Sequence, residues 1–224
     1  MRTRFQQGLD DLKGKLLAMG GMAEQAIDLA MRAYRDRVPE LCARVFENEV
    51  LINMAEREID HLALDLLAMQ QPMAIDLRFI LAVIKSNADL ERVGDQAVNI
   101  SQRVMDLIAF PQVELAADVP EMAIISQQMI RQALEAFVSG NAELAQQVLE
   151  TDDTVDRMNQ EIFQAMDKTI HESPTLVRQA LDTMIIARNL ERVADHATNI
   201  AEDVIFWVRG ADVRHHGGLI SAQK

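Results

Sequence analysis

One eleven-residue stretch occurs twice in this chain: Leu90-Glu91-Arg92-Val93-Gly94-Asp95-Gln96-Ala97-Val98-Asn99-Ile100, and Leu190-Glu191-Arg192-Val193-Ala194-Asp195-His196-Ala197-Thr198-Asn199-Ile200. The offset is 100 residues and eight of the eleven positions are identical. A duplicated unit must bury the same face in each copy, which narrows the possible folds sharply. Leu90, Val93, Ala97, Ile100, Val104 and Leu107 recur at steps of three and four, the spacing of one apolar helix face. Glu91, Asp95 and Asn99 follow at intervals of four, as do Glu191, Asp195 and Asn199, so each copy carries an oxygen-bearing stripe beside its apolar face. Two acids one turn apart weaken an isolated helix by about 0.2–0.5 kcal/mol. Arg92 and Arg192 offset part of this. A local conflict repeated in both copies, next to a packing face, points to a positive charge that belongs there.

The rest of the chain repeats with the motif. Phe5, Leu9, Leu12, Leu16 and Met19, then Ala23, Ala26, Ile27, Ala30 and Tyr34, define one helix to about Asp36, with Gly20-Gly21 as its weak point. Pro39 opens a second helix. Its stripe is Leu41, Val45, Asn48, Ile52, Ala55, Ile59, Leu62 and Leu66, with Asn48 the lone polar member, and Gln70-Gln71-Pro72 breaks it. A third helix runs from about Ala74 to Phe110. The stretch from Phe110-Pro111 to Val119-Pro120 is the domain boundary. Met122, Ile125, Met129, Ala133, Ala136 and Phe137 then echo the first helix. Gly140-Asn141 reads as a stop and an N-cap. Leu144, Val148, Val155 and Ile162 echo the second helix at an offset of 103. Ser173-Pro174 starts the sixth helix, where Arg178 and Leu181 match Arg78 and Leu81 at an offset of 100. The expected fold is all-α: two similar antiparallel three-helix bundles, related by an approximate twofold, over 1–110 and 111–210. Residues 211–224 read as a flexible tail, in which His215-His216 is a weak chelator at most.

Composition bears on partners. A net charge of −13 argues against nucleic-acid binding and favours cations or basic protein patches. The single cysteine, Cys42, precludes an internal disulfide, fits a reducing compartment and reads as a small core residue. No apolar run reaches the ~18 residues of a membrane span, and the start of the chain lacks a signal-peptide apolar block, so a cytoplasmic protein is expected.

The second helix of each half has its own polar pair, Glu49 with Asn53 and Asp152 with Asp156. In an antiparallel pair turning at Pro72, Asn53 stands level with Glu91 and Glu49 with Asp95. A turn at Ser173-Pro174 likewise levels Asp156 with Glu191 and Asp152 with Asp195. Both turn centres are independent helix breaks, so the acids of neighbouring helices are expected to share one groove in each half. Converging carboxylates need protonation, water or cations. An all-oxygen set suits Mg, Ca, Mn or iron better than a thiolate zinc site. The bland alternative is a solvated acidic groove. A ferritin-like di-iron oxidase needs Glu-x-x-His on two helices. Glu58-His61 supplies one, but Gln164 stands where a second His would be, so that pair reads as surface. No phosphate-binding Gly-rich loop and no repeat-supported nucleophile set is present, and the chain is not expected to be an enzyme.

Asp76-Leu77-Arg78 after Gln71-Pro72, with Asp89-Leu90-Glu91-Arg92-Val93-Gly94-Asp95, resembles the PhoU family of bacterial phosphate-uptake regulators, over roughly residues 5 to 208. The resemblance implies two three-helix bundles with metal bound at Glu91, Asp95, Glu191 and Asp195. Glu49, Asn53, Asn99, Asp152, Asp156 and Asn199 are candidate partners. It leaves the metal open among Fe, Mn, Mg and Zn. It also implies a cytoplasmic, often dimeric negative regulator of the phosphate-starvation response, linking the phosphate transporter's ATPase subunit to the sensor histidine kinase. This chain departs from the pattern at Asn53, where an acid would ligate more strongly, and at Asn189, which replaces the Asp89 of the first copy. The two sites are therefore expected to differ. The competing function is a carboxylate-bridged metal-dependent oxidase or storage bundle.

Overall fold

The computed structural model describes residues 4–70, 72–113, 115 and 117–210, with Gln70 described for its backbone alone. The expected tail and its His215-His216 pair lie outside them. Among the described residues there are six long α-helices: α1 Arg4–Asp36, α2 Pro39–Gln70, α3 Ile75–Ile108, α4 Val119–Ser139, α5 Ala142–Glu172 and α6 Val177–Arg209. Among the described residues there is no strand. The three-four stripes read from the sequence are the buried faces. Leu9, Leu12, Leu16 and Met19 on α1, and Leu90, Val93, Ala97 and Ile100 on α3, are all inside. Asn48, the polar exception on α2, is buried because its Nδ2 donates to the Met22 carbonyl of α1 at 2.9 Å.

Two local expectations change. Gly20-Gly21 does not weaken α1, which runs unbroken through it. Gly20 instead admits Leu134 of α4: a Cβ there would stand 2.3 Å from Leu134 Cδ1. The glycine lets two helices approach, and packing outweighs its poor helix propensity. Ser173-Pro174 does not open α6 directly. A single 3₁₀ turn, Pro174–Leu176, comes first, and the Ser173 side chain makes no cap hydrogen bond.

The other stop is as expected. Gly140 is left-handed at φ 64°, and the Asn141 side chain accepts from the Glu143 and Leu144 amides at 3.0 and 3.1 Å. Asn141→Ala is expected to cost about 1 kcal/mol. In a chain of this size that lowers Tm by about 3 °C in a thermal melt followed by circular dichroism.

Helices α2, α3, α6 and α5 lie in a row in that order. Helix α1 packs on α2 and α3, α4 packs on α5 and α6, and α1 touches α4. Helices α1 and α4 therefore cover the same side of the row. The most extensive contact joins the halves, α3 against α6. It is antiparallel and pinned near both ends by ion pairs, Lys85 Nζ to Asp203 Oδ1 at 3.6 Å and Arg103 Nη1 to Asp182 Oδ1 at 3.5 Å. The buried apolar residues of both halves merge into one continuous core. Phe137 of α4, inside it, meets the half-buried Phe79 of α3 and Trp207 of α6 at its edge, with ring centroids 5.5–6.2 Å apart.

Candidate metal centres

The level matching derived from the two turns is met between α2 and α3. Asn87 Nδ2 donates to Asp60 Oδ1 at 3.0 Å and to the Glu56 carbonyl at 2.9 Å, and Gly94 faces Ile52. One side of this groove is closed by α1, so its exposed acids look out on the other. Asp95 is exposed, while Glu49, Asn53 and Glu91 are half-buried. Burial first, then Asp95, Glu56 and Glu49, push the Glu91 carboxyl above its ordinary value, with Arg92 opposing. Burial and then Glu49 push Asp95 up likewise. The Asn53 amide donates to Glu49 Oε1 at 2.8 Å. Glu56 belongs with this set and was not legible as a member, since the second copy has Asn159 at the matching position. Asn99 is exposed, one turn beyond Asp95.

The groove between α5 and α6 is more enclosed. Glu191 is buried at 7% exposure, Asp152 and Asp195 are half-buried, and Asp156 is exposed. Asp152 is pushed up to about 6 by burial first, then by Asp156, Asp195, Glu191 and Asp153. Burial and Asp195 raise Glu191, which the Arg188 guanidinium partly offsets through its ion pair with Oε1. Burial and Asp156 raise Asp195. Asp152 Oδ1 and Glu191 Oε2 are buried without a hydrogen-bond partner. Buried acceptors of this kind cost about 1–3 kcal/mol each until something positive reaches them.

Asn199 is placed elsewhere. Its Nδ2 donates to Asp89 Oδ1 across the seam between the halves at 3.0 Å, and His196 Nδ1 stands 2.9 Å from the same oxygen. The seam residue Asp89 needs donors, and α6 supplies them from the face next to its acid stripe. The signal in the sequence is a paired difference between the copies: Asp89 with His196 in one register, Asn189 with Gln96 in the other. The halves thus build two carboxylate grooves and one cross-link between them. Both grooves open on the side of the helix row opposite α1 and α4. An open cleft lined by Lys85, Asp89, Arg92, Asn199 and Glu202 runs along the seam between them.

Among the described residues, no three acidic, histidine or cysteine side chains stand close enough to share one cation in the conformations adopted. Bringing them onto one ion takes side-chain rotation, which half-exposed carboxylates have available. Glu58 pairs with Lys15 at 2.7 Å on the exterior and His61 is exposed, so the lone Glu-x-x-His spacing is a surface pair. A half-open cavity of about 220 Å³, bounded by Tyr34, Val104, Leu107, Gln179 and Thr183, lies toward the far end of α3. It is roughly 20 Å along the helix from Glu91 and shares nothing with the grooves.

The PhoU domain model matches this chain twice, at residues 16–104 and 119–204, once over each half and across both acid motifs. The chain belongs to the PhoU family. A phosphate-specific transport system accessory protein PhoU homolog of Pseudomonas aeruginosa is 38% identical over 215 residues, covering 96% of this chain and 89% of the relative. The accessory protein PhoU of Escherichia coli is 29% identical over 215 residues, covering 96% and 89%. The crystal structure of PhoU from P. aeruginosa superposes with a TM-score of 0.89 at 37% identity, over 93% of this chain and all of that one. The regulatory protein PhoU from Streptococcus pneumoniae, at 24% identity and a TM-score of 0.87, shares the fold. These PhoU relatives carry the names of accessory and regulatory proteins, not of enzymes.

Proposed function

We propose that this PhoU chain is an accessory regulator of phosphate uptake that restrains the phosphate-starvation response, with a hard cation held in each acid groove. The observation that carries the regulatory part is family membership over both halves together with relatives of that named role. The metal part rests on donor chemistry: all-oxygen grooves of mutually repelling carboxylates, two of whose buried oxygens lack a partner. Glu49, Glu91 and Asp95, with Asn53, hold the ion in the first groove, and Asn99 lies at its rim. Asp152, Asp156, Glu191 and Asp195 hold it in the second. Bound there, Fe, Mn, Mg or Zn supplies positive charge that ties neighbouring helices together. The chain's own residues do the rest: the α3–α6 seam keeps the two grooves on one face, and Asp89, His196 and Asn199 join them.

The partners in this reading are the transporter's ATPase subunit and the sensor histidine kinase, met on the cytoplasmic side, with a second copy of the chain completing a homodimer. Support comes from charge, since −13 steers the protein toward basic patches with a salt-sensitive on-rate. No described helix is long and apolar enough to cross a membrane, so such a chain reaches the transporter by docking. A deletion strain grown in high phosphate tests it. Starvation genes are expected to switch on, and purified protein to capture the kinase or the ATPase subunit. Unchanged starvation-gene expression, with metal-dependent turnover of oxygen or peroxide by the pure protein, would replace this reading with an oxidase or storage bundle. The metal part has its own arm. Glu91→Ala/Asp95→Ala and Glu191→Ala/Asp195→Ala are each expected to remove the ions of one half in elemental analysis.

A further inference from the structure

We infer that the two grooves are unequal, the α5–α6 groove taking its cation first and the α2–α3 groove only at higher concentration. This rests on the metal reading above and adds a direction to it. Charge separates the sites only slightly: Glu56 brings the first groove to four acids with Glu49, Glu91 and Asp95, against Asp152, Asp156, Glu191 and Asp195 with Asp153 beside them. Desolvation separates them further. Glu191 is 7% exposed and its Oε2 has no partner, and Asp152 Oδ1 is likewise buried and unpaired. The fold has already stripped water from these oxygens, so an ion entering there regains interactions that folding gave up. Among the described residues, no oxygen of Glu49, Glu91 or Asp95 is in that condition.

Asn53 widens the gap. It occupies the position of Asp156, so a charge is replaced by a dipole. Its Nδ2 holds Glu49 Oε1 at 2.8 Å, and an amide nitrogen is not a cation ligand. An ion that takes Glu49 Oε1 as a ligand competes with that hydrogen bond. The opposing feature in the second groove is Arg188 on Glu191 Oε1. The Arg188 side chain is 61% exposed and can swing into water as an ion arrives.

The test is a Mn(II) titration of the full-length, chelator-stripped protein, with free Mn(II) read by electron paramagnetic resonance. Wild type is expected to bind in two phases, with Kd values at least tenfold apart. Asp152→Asn should remove the tight phase and leave the weak one. Glu49→Gln should leave the tight phase and abolish the weak one. Asn53→Asp should tighten the weak phase several-fold without touching the first. Circular dichroism confirms that each variant is folded. A single phase in wild type, or loss of the tight phase in Glu49→Gln, overturns the inference while leaving the metal reading intact. No bound Mn(II) in wild type, with no displacement by Fe(II) or Zn(II), overturns both.

Discussion

Phe137→Ala is expected to lower the unfolding free energy by about 3–5 kcal/mol and to melt both halves together. Phe137 is 1% exposed and lies on α4, yet its aromatic neighbours are Phe79 of α3 and Trp207 of α6. Truncating it empties a site walled by both copies of the repeat. Long, close-packed helices on all sides collapse poorly into such a gap, which places the cost in the range of large-to-small core changes. The continuity of the core predicts the second part of the result. Because the buried apolar residues of both halves form one cluster, one transition in urea should shift to a lower midpoint with its slope unchanged. Two transitions, with the one reporting on α1 and α2 unmoved, would show instead that the bundles fold independently. Phe137→Leu, which refills most of the volume, should recover most of the loss.

Asp152→Asn is expected to act in the opposite direction, stabilising the metal-free protein by about 1 kcal/mol at pH 7. Its carboxyl titrates at about 6 in the fold, against an ordinary 3.8. The folded chain therefore holds this proton more tightly than the unfolded chain. The stability that the protonated form contributes is complete below about 3.8, declines as pH rises, and is gone above about 6. The unscreened shift would correspond to about 3 kcal/mol, and solvent around a half-buried group reduces it to about 1. Glu91, Asp95, Glu191 and Asp195 are raised as well, so their contributions run the same way. Urea midpoints from pH 4 to 8 in the presence of chelator check this. Wild type and variant should coincide near pH 4 and separate above pH 6. A variant less stable than wild type at pH 7 would mean that Asp152 is held by a partner as a charge, not crowded by neighbours. The pairing of greater stability with lost ion binding is what a functional site built against stability predicts.

The helices were legible because their apolar periodicity is long and the breakers are few. Each half repeats the other, and Pro72 and Pro174 set the level of the acids from the sequence alone. What was not legible depends on which helices meet between halves. Gly20 looked like a flaw because its partner, Leu134, lies in the other copy. Asn199 looked like a third member of a stripe because periodicity assigns a face to a residue, not a neighbour, and its neighbour Asp89 belongs to α3. Glu56 escaped because it breaks the repeat, and the repeat was the filter. The amide of Asn53 was legible as a missing acid, but not as a donor that occupies Glu49.

The α3–α6 seam has the form of a dimer interface written into a single polypeptide. Two separate identical subunits must change together, since every substitution appears on both sides of the axis. Covalent fusion removes that obligation. Asp89 can face His196 across the seam while the mirror positions hold Asn189 and Gln96, an arrangement closed to a true symmetric pair. Each groove is thus free to be tuned, or silenced, by one codon without disturbing its twin. A tandem protein of this kind can evolve a graded response where an assembled dimer has only a uniform one.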